Sequence, residues 1–257
     1  MRRLTTLAAW ASLGHTRPMS DPTQRPHPDL LSPVEQDMVD ISMQRHAPAT
    51  PAPTKPADRG PWMQTYSGKC FYPLDPRPED ISLVDIAHAL SICPRYAGHS
   101  REPYSVAQHS ILVADTFARD IGHVTADTAA LRGARLIGLL HDAAEAYICD
   151  LPRPLKSCLP EYKAIEHRIE EAIRQHFALR TMRTMIADDI ALMIALKRAD
   201  RIVLATERRD IMNPCEREWD ADEQGFPLLT DTIVPWGWRE AEVKYTEALT
   251  AALAARA

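Results

Sequence analysis

Apolar residues recur at helical spacing along most of the chain after residue 80, and this period predicts an all-α fold. Helices are predicted over residues 85–92, 103–120, 128–147, 160–177, 182–212 and 238–255. Proline-containing segments separate several of these ranges, as expected at helix boundaries. Upstream of them, residues 62–73 predict a short β-hairpin that turns at Ser67-Gly68.

The first 60 residues differ in character from the rest of the chain. Residues 20–60 are rich in proline, and such a segment buries too little apolar surface to offset its ordering entropy. We therefore expect a disordered, low-complexity leader over residues 1–60, with a weakly indicated short helix at 33–46. The remaining residues, 61–257, are expected to form a single domain.

The N-terminus and the cysteines indicate where the protein resides. Residues 1–14 resemble a secretory signal peptide only in part, because their apolar core is short and interrupted by threonines. The sequence at Met19-Ser-Asp-Pro is typical of a natural start, so residues 1–18 are expected to be an upstream extension. Five cysteines without a CxxC pair indicate reduced thiols, and no apolar stretch approaches the ~20 residues of a membrane span. We expect a cytoplasmic protein without membrane association.

The composition narrows the class of protein further. The chain has 257 residues, of which 45% are hydrophobic and 25% charged, a balance typical of globular proteins. Nine glycines and 6% aromatic residues disfavour a β-barrel or a glycine-rich nucleotide fold. The net charge of −5 argues against an extended nucleic-acid-binding surface.

An imidazole and a carboxylate lie side by side at His141-Asp142, inside the apolar run 136–147. Burial of unpaired ionisable groups is heavily penalised, so a divalent cation is the natural partner for this pair. His109 and Asp200 lie in similarly apolar surroundings elsewhere in the chain. Two imidazoles and two carboxylates from three predicted helices suit a mixed nitrogen–oxygen metal site. This pattern predicts a metal-dependent hydrolase.

Two further carboxylates follow the pair. Glu145 falls four residues after His141 and three after Asp142, so on a continuous helix all three side chains would lean toward one side. This position suits a general acid or base, and Asp150 is placed to orient a water molecule or protonate a leaving oxygen. We expect a divalent ion to activate the water that attacks phosphorus.

Each of these residues also has an ordinary structural explanation. A lone buried histidine is most often a satisfied core residue, and Asp200 between two arginines is typical of a surface ion pair. Glu145 and Asp150 would then be a solvated edge and a helix cap. Taken together, the polar residues in apolar helices favour the metal site over these separate explanations.

The order of these residues resembles the signature of the HD-domain metal-dependent phosphohydrolases. Within that superfamily the chain is similar to the bacterial 5′-deoxynucleotidase branch and to the phage-type dATP triphosphohydrolases, over about residues 85–210. The segments that carry the similarity are Gln108-His109-Ser110, His141-Asp-Ala-Ala-Glu145, Asp150-Leu-Pro-Arg-Pro-Leu-Lys156, Glu161-Tyr-Lys-Ala-Ile-Glu166 and Lys197-Arg-Ala-Asp-Arg201.

The resemblance implies an HD-domain helical bundle around one divalent metal ion, either Mn, Co, Zn or Mg. The implied metal ligands are His109, His141, Asp142 and Asp200. It also implies that Glu145 assists proton transfer and that Asp150 is a second catalytic carboxylate.

The resemblance further implies a substrate-binding set. Arg95, fourteen residues before His109, matches a phosphate-binding arginine, whose guanidinium would grip phosphate through parallel hydrogen bonds. Tyr96 replaces a tryptophan common in the deoxynucleotidases, so stacking on the sugar is expected while the preference for deoxyribose stays open. Lys156 matches a basic position near the phosphate, with an exposed lysine after a turn as an equal alternative.

The expected function is hydrolysis at the α-phosphorus of a (deoxy)nucleotide, by a 5′-deoxynucleotidase or a dNTP triphosphohydrolase. One alternative is hydrolysis of guanosine polyphosphates, which is disfavoured because those enzymes usually carry Glu-Asp where this chain has Glu145-Ala146. The other is a non-catalytic metal- or nucleotide-binding module, which would not require both Glu145 and Asp150. The expected partner is a small-molecule nucleotide, and assembly into a homo-oligomer stays open.

Overall fold

The computed structural model describes residues 59–123, 125–177, 190–219 and 225–254, and this part of the chain is mostly helical with one short hairpin. The predicted all-α fold is confirmed. The described residues belong to a compact unit that begins at Arg59. The predicted leader up to residue 58, the predicted helix at 33–46 and residues 182–189 of the predicted long helix lie outside the described residues.

The two short strands precede the long helices along the described part of the chain. Strands β1 (Met63–Gln64) and β2 (Cys70–Phe71) pair antiparallel. The helices are α1 (Leu83–Ile92), α2 (Val106–Gly122), α3 (Thr128–Leu140), α4 (Glu145–Ile148), α5 (Arg153–Lys156), α6 (Pro160–His176), α7 (Ile190–Ile211) and α8 (Trp238–Ala254). Single turns of 3-10 helix occur at Pro78–Asp80 and Arg95–Gly98. Among the described helices, none has the length and apolar character needed to cross a membrane.

The hairpin turns where the sequence predicts. Gly68 adopts a positive φ of 84°, and its amide donates to the Thr65 carbonyl at 3.0 Å. The carboxylate of Asp85 in α1 accepts hydrogen bonds from the Ser67 amide at 2.6 Å and from the Ser67 hydroxyl at 2.8 Å. A buried acid on the first long helix therefore fixes the hairpin to the helical domain.

Helix α2 begins three residues later than the sequence predicts. Its N-cap is Ser105, whose hydroxyl accepts from the Gln108 amide at 3.2 Å, so Pro103 precedes the helix. The Gln108 side chain then donates to the Val234 carbonyl and accepts from the Trp236 amide, both at 2.8 Å. The first turn of α2 thereby holds the segment that leads into α8.

The predicted single helix over 128–147 is wrong, because α3 ends at Leu140. Two side chains donate hydrogen bonds to the carbonyl oxygens at its end. His141 Nδ1 donates to the Gly138 carbonyl at 2.7 Å, and the Tyr245 hydroxyl of α8 donates to the Leu139 carbonyl at 2.6 Å. The chain turns at this point before α4 begins. The His141-Asp142 pair therefore lies at a helix end, whereas the sequence analysis placed it inside a helix.

A close approach of α2 and α3 brings the two candidate histidines together. A Cβ atom added to Gly138 would lie 2.5 Å from the Cα atom of Ala114, so the two backbones are in direct contact. His109 precedes this contact on α2, whereas His141 comes after it at the end of α3. The centroids of their imidazole rings lie 5.3 Å apart. The two helices therefore run antiparallel, and the start of α2 faces the end of α3.

The core lies between these helices and α1, α6 and α8. Its members are apolar residues with little or no exposed surface, among them Ile86, Leu90, Leu136, Leu139, Ile169, Ile173, Tyr245 and Leu249. On α6 the buried positions are Ile169, Ala172 and Ile173, whose spacing of three and four residues places them on one face of the helix. The core thus supports α3 and α8 behind the turn that carries the His141-Asp142 pair.

Replacement of Gly138 by alanine should lower the free energy of unfolding by roughly 1–3 kcal/mol, because the added methyl group overlaps the α2 backbone. Gly122→Ala is the matched control, since its Cβ would meet only the Leu131 side chain at an ordinary 3.7 Å. The control should be neutral or stabilising by up to ~1 kcal/mol. Urea unfolding of both variants measures the difference, and equal stability of the two would contradict the close approach.

Candidate metal centre and active site

His109 is fully buried and His141 is partly buried, and each keeps one ring nitrogen without a well-aligned hydrogen bond. His109 on α2 is fully buried, and its Nδ1 lies 2.7 Å from Glu207 Oε1. His141 donates from Nδ1 to a backbone carbonyl, as described above. The Nε2 atoms of both rings are buried without a well-aligned hydrogen bond, and the groups nearest to them are carboxylate oxygens at 3.0–3.6 Å. Such orphaned nitrogens are costly in a protein interior unless a further ligand binds them.

Asp142 completes a tight group with the two histidines. Its Oδ2 lies 3.0 Å from His141 Nε2 and 3.6 Å from His109 Nε2. The donor atoms of the three side chains all lie within 4.8 Å of one another. One divalent ion with bonds of ~2.0–2.2 Å to nitrogen and oxygen fits such a group.

Asp200 on α7 lies at the edge of this group. Its Oδ1 is 3.4 Å from His109 Nε2, while Oδ2 accepts from Lys197 at 2.8 Å. Arg198 pairs with Asp120 at 2.5 Å, so the ion pair that Asp200 makes is with Lys197 rather than with Arg198. The structure brings Asp200 beside the predicted ligands, in contact with His109 but shared with a lysine.

The pKa values of the acidic candidates shift downward at the metal group. Burial alone would raise the pKa of Asp142, but the neighbouring His141, His109 and Arg95 outweigh burial and lower it. For Asp200, Lys197 and His109 likewise outweigh burial and hold the pKa well below its usual value. Both carboxylates are therefore ionised at neutral pH, which is the form that binds cations.

Glu145 has the opposite electrostatic character. It begins α4 rather than continuing α3, it is only 6% exposed, and its Oε2 is buried without a hydrogen bond. Burial raises its pKa well above the usual value, and the carboxylates of Asp142 and Asp150 add to this effect. Burial also raises the pKa of Asp150, although Arg95 opposes the shift. The two predicted catalytic acids thus keep their protons to a higher pH than ordinary carboxylic acids, and they lie close enough to influence one another.

The predicted phosphate-binding Arg95 lies beside the metal group. It is 9% exposed, and its backbone amide donates to the Tyr104 carbonyl at 2.9 Å. Its Nη1 is 3.6 Å from Asp142 Oδ2, and its Nε is 3.4 Å from Glu207 Oε2 without hydrogen-bond geometry. The guanidinium is therefore held near the candidate ligands by charge, at distances beyond those of strong hydrogen bonds.

Tyr96 follows in an unusual backbone conformation. Tyr96 and Ala97 have φ values of 56° and 51°, in the left-handed region that residues other than glycine seldom adopt. The Tyr96 hydroxyl donates to Glu207, and its ring centroid lies 5.6 Å from that of Trp219. The phenol is therefore anchored inside the protein by its hydroxyl. Stacking of the ring on a sugar stays a prediction.

Lys156 is partly exposed and forms an ion pair. Its side chain is 26% exposed, and its ammonium lies 2.5 Å from Glu166 Oε1 on α6. The pair ties α5 to α6, in the segment that follows Asp150. A role in phosphate binding stays a prediction for this residue.

The sequence analysis missed Glu207, a fully buried carboxylate on α7. Its Oε1 accepts from the Tyr104 hydroxyl at 2.8 Å and lies 2.7 Å from His109 Nδ1. Although burial acts in the opposite direction, Arg95 and His109 lower its pKa to about 2. A signal was present, because Glu207 falls seven residues after Asp200 and so lies on the same helix face.

Metal binding should strengthen as the pH rises. Burial and Arg95 oppose protonation of His109, but Glu207 and Asp200 outweigh them and raise its pKa to about 9. Below that pH a cation must displace the proton on His109, so the apparent association constant should rise about tenfold per pH unit. Titration with Mn²⁺ between pH 6 and 8 measures the slope, and an affinity independent of pH would contradict the assignment of His109 as a ligand.

Comparison with known proteins gives two bacterial relatives. The chain is 37% identical over 150 residues to the uncharacterized protein YfdR of Escherichia coli strain K12, an alignment that covers 58% of this chain and 72% of that protein. It is 33% identical over 162 residues to the uncharacterized protein RCAP_rcc00048 of Rhodobacter capsulatus, covering 62% of this chain and 77% of the relative. No protein-family model matches the chain. The chain therefore belongs to the family of these two bacterial proteins.

Proposed function

We propose that this protein is a metal-dependent phosphohydrolase of the HD-domain type that acts on small-molecule (deoxy)nucleotides in the cytoplasm. The observation that carries the proposal is the convergence of two orphaned Nε2 atoms, from His109 and His141, on the Asp142 carboxylate beside a buried arginine. Five free cysteines among the described residues agree with a reducing compartment.

The donor set fits a divalent cation. His109, His141 and Asp142 would hold the ion, and Asp200 is placed to join them through its Oδ1. Imidazole and carboxylate donors suit Zn, Mn, Co or Fe, with Mg better matched by oxygen alone. When bound, such an ion supplies a Lewis acid that lowers the pKa of water and offsets negative charge on a phosphoryl oxygen.

Arg95 would orient the phosphate. Its guanidinium lies next to Asp142 yet makes no close hydrogen bond to that carboxylate, so N–H groups remain for an incoming anion. A planar guanidinium binds two phosphate oxygens through parallel hydrogen bonds. A phosphate held in this way would lie against the candidate ligands, where the phosphorus is exposed to attack.

Glu145 and Asp150 would move protons. Glu145 keeps its proton to a higher pH than an ordinary glutamate because burial and the neighbouring carboxylates Asp142 and Asp150 disfavour its charge. A carboxyl group in this state donates a proton to a leaving oxygen or accepts one from water once its surroundings change. Metal binding alone would not require such a pair of acids next to the ligands.

The purified full chain should hydrolyse at least one deoxynucleoside mono- or triphosphate, and only with added metal. The test is a panel of dNMPs, NMPs, dNTPs, NTPs and guanosine tetraphosphate with Mn, Co, Mg and Zn. A phosphate assay detects monophosphate hydrolysis, and chromatography detects tripolyphosphate. Turnover of guanosine tetraphosphate alone would favour the alarmone hydrolase, whereas metal binding without any turnover would favour the binding module.

The same assay tests whether Glu145 transfers a proton during turnover. Glu145→Gln removes the transferable proton while it preserves the shape of the side chain, so kcat should fall at least 100-fold with metal affinity retained. Glu161→Gln, at an exposed position in the first turn of α6, is the matched control and should leave turnover unchanged. Wild-type turnover in the Glu145 variant would remove this residue from the mechanism.

A further inference from the structure

We propose that Glu207 is a positioning residue that couples the binding of metal to the binding of phosphate. One of its oxygens sets the orientation of His109, and the other holds the turn that carries Arg95. The inference rests on the proposed function, because it takes His109 as a metal ligand and Arg95 as a phosphate ligand.

The Glu207 carboxylate contacts several side chains rather than a single ion-pair partner. Its side chain is fully buried, and groups from two other parts of the chain reach it. Oε1 is contacted by His109 Nδ1 at 2.7 Å and by the Tyr104 hydroxyl at 2.8 Å. Oε2 accepts from the Tyr96 hydroxyl and lies 3.4 Å from Arg95 Nε. Each oxygen therefore serves a different part of the candidate site.

The Oε1 contact fixes which nitrogen of His109 is available to a cation. An ionised carboxylate only accepts hydrogen bonds, so His109 Nδ1 must keep its proton, and Nε2 is the nitrogen that can exchange a proton for a cation beside Asp142 and Asp200. At His141 a backbone carbonyl accepts the hydrogen bond from Nδ1 instead. The two histidines thus present the same nitrogen to the site, but only His109 depends on a charged side chain for it.

The Oε2 contacts hold a strained turn. Tyr96 adopts a left-handed φ of 56°, which costs free energy for a bulky residue, and its hydroxyl bond to Glu207 opposes that cost. The backbone next to Arg95 is therefore set by the same carboxylate that orients His109. Both parts of the candidate site therefore depend on one carboxylate.

The sign of the coupling follows from charge. A cation on Nε2 would make the Nδ1–H of His109 a stronger donor and draw negative charge toward Oε1. Less charge would then remain to hold Arg95, so its guanidinium would be freer to bind an anion. Metal should therefore strengthen phosphate binding, and by reciprocity phosphate should strengthen metal binding by the same factor.

The experiment is a Co²⁺ titration of the full chain, followed by visible absorption, with and without methylphosphonate as a phosphate mimic that is not hydrolysed. In the wild type, methylphosphonate should tighten Co²⁺ binding at least ~5-fold. Glu207→Gln should weaken Co²⁺ binding by ~10–100-fold and abolish the effect of methylphosphonate. Glu242→Gln on α8 is the matched control, because its carboxylate also contacts a histidine Nδ1, that of His88 at 3.0 Å, but outside the metal group, so the coupling should be preserved.

A second variant covers the case in which Glu207→Gln fails to fold. Tyr96→Phe removes only the hydroxyl bond to Oε2, so Co²⁺ affinity should be kept while the coupling to methylphosphonate decreases. Equal Co²⁺ affinity and equal coupling in the wild type and in the folded Glu207 variant would overturn the proposal and leave the proposed function intact. Wild-type Co²⁺ binding that methylphosphonate does not change would also overturn it. A wild-type protein that binds no Co²⁺ would instead refute the metal centre itself.

Discussion

The direct contact between α2 and α3 is the constraint on which the rest of the structure depends. Because Gly138 has no side chain, the α3 backbone reaches Ala114 of α2, and the start of one helix faces the end of the other. The end of α3 is then fixed by two side chains, those of His141 and Tyr245, which donate hydrogen bonds to its last carbonyl oxygens. These two features place the imidazole of α2 and the imidazole at the end of α3 against each other.

The carboxylates of the site share burial but differ in the direction in which their pKa values shift, and their neighbours decide the difference. Burial raises the pKa of both Asp142 and Glu145. Asp142 lies among His141, His109 and an arginine, which lower its pKa, whereas Glu145 lies among other carboxylates, which raise it further. Two acids three residues apart are therefore suited to different tasks, one to bind a cation and one to hold a proton.

Much of the fold and part of the site follow from local pattern. The helical period predicts the long helices, and the costly His141-Asp142 pair predicts a polar cluster. The end of α3 could not be predicted, because apolar residues continue on both sides of His141-Asp142 as far as Tyr147, and one of the two groups that take its last carbonyls is a hydroxyl 106 residues away. Glu207 was missed for the same reason, since its contact with His109 joins residues 98 positions apart. The spacing of apolar residues within a helix indicates which positions are buried. The hydrogen-bond and charge partners of a buried polar side chain come from other helices, so its role cannot be predicted from that spacing.

The central claim is that the two orphaned imidazole nitrogens are metal ligands. Anomalous diffraction from crystals of the full chain grown with Mn²⁺ or Zn²⁺ tests it most directly. The account predicts one strong peak at about 2.0–2.2 Å from His109 Nε2, His141 Nε2 and an Asp142 oxygen. A peak elsewhere, or none at the histidines under conditions in which the protein binds metal in solution, would contradict it.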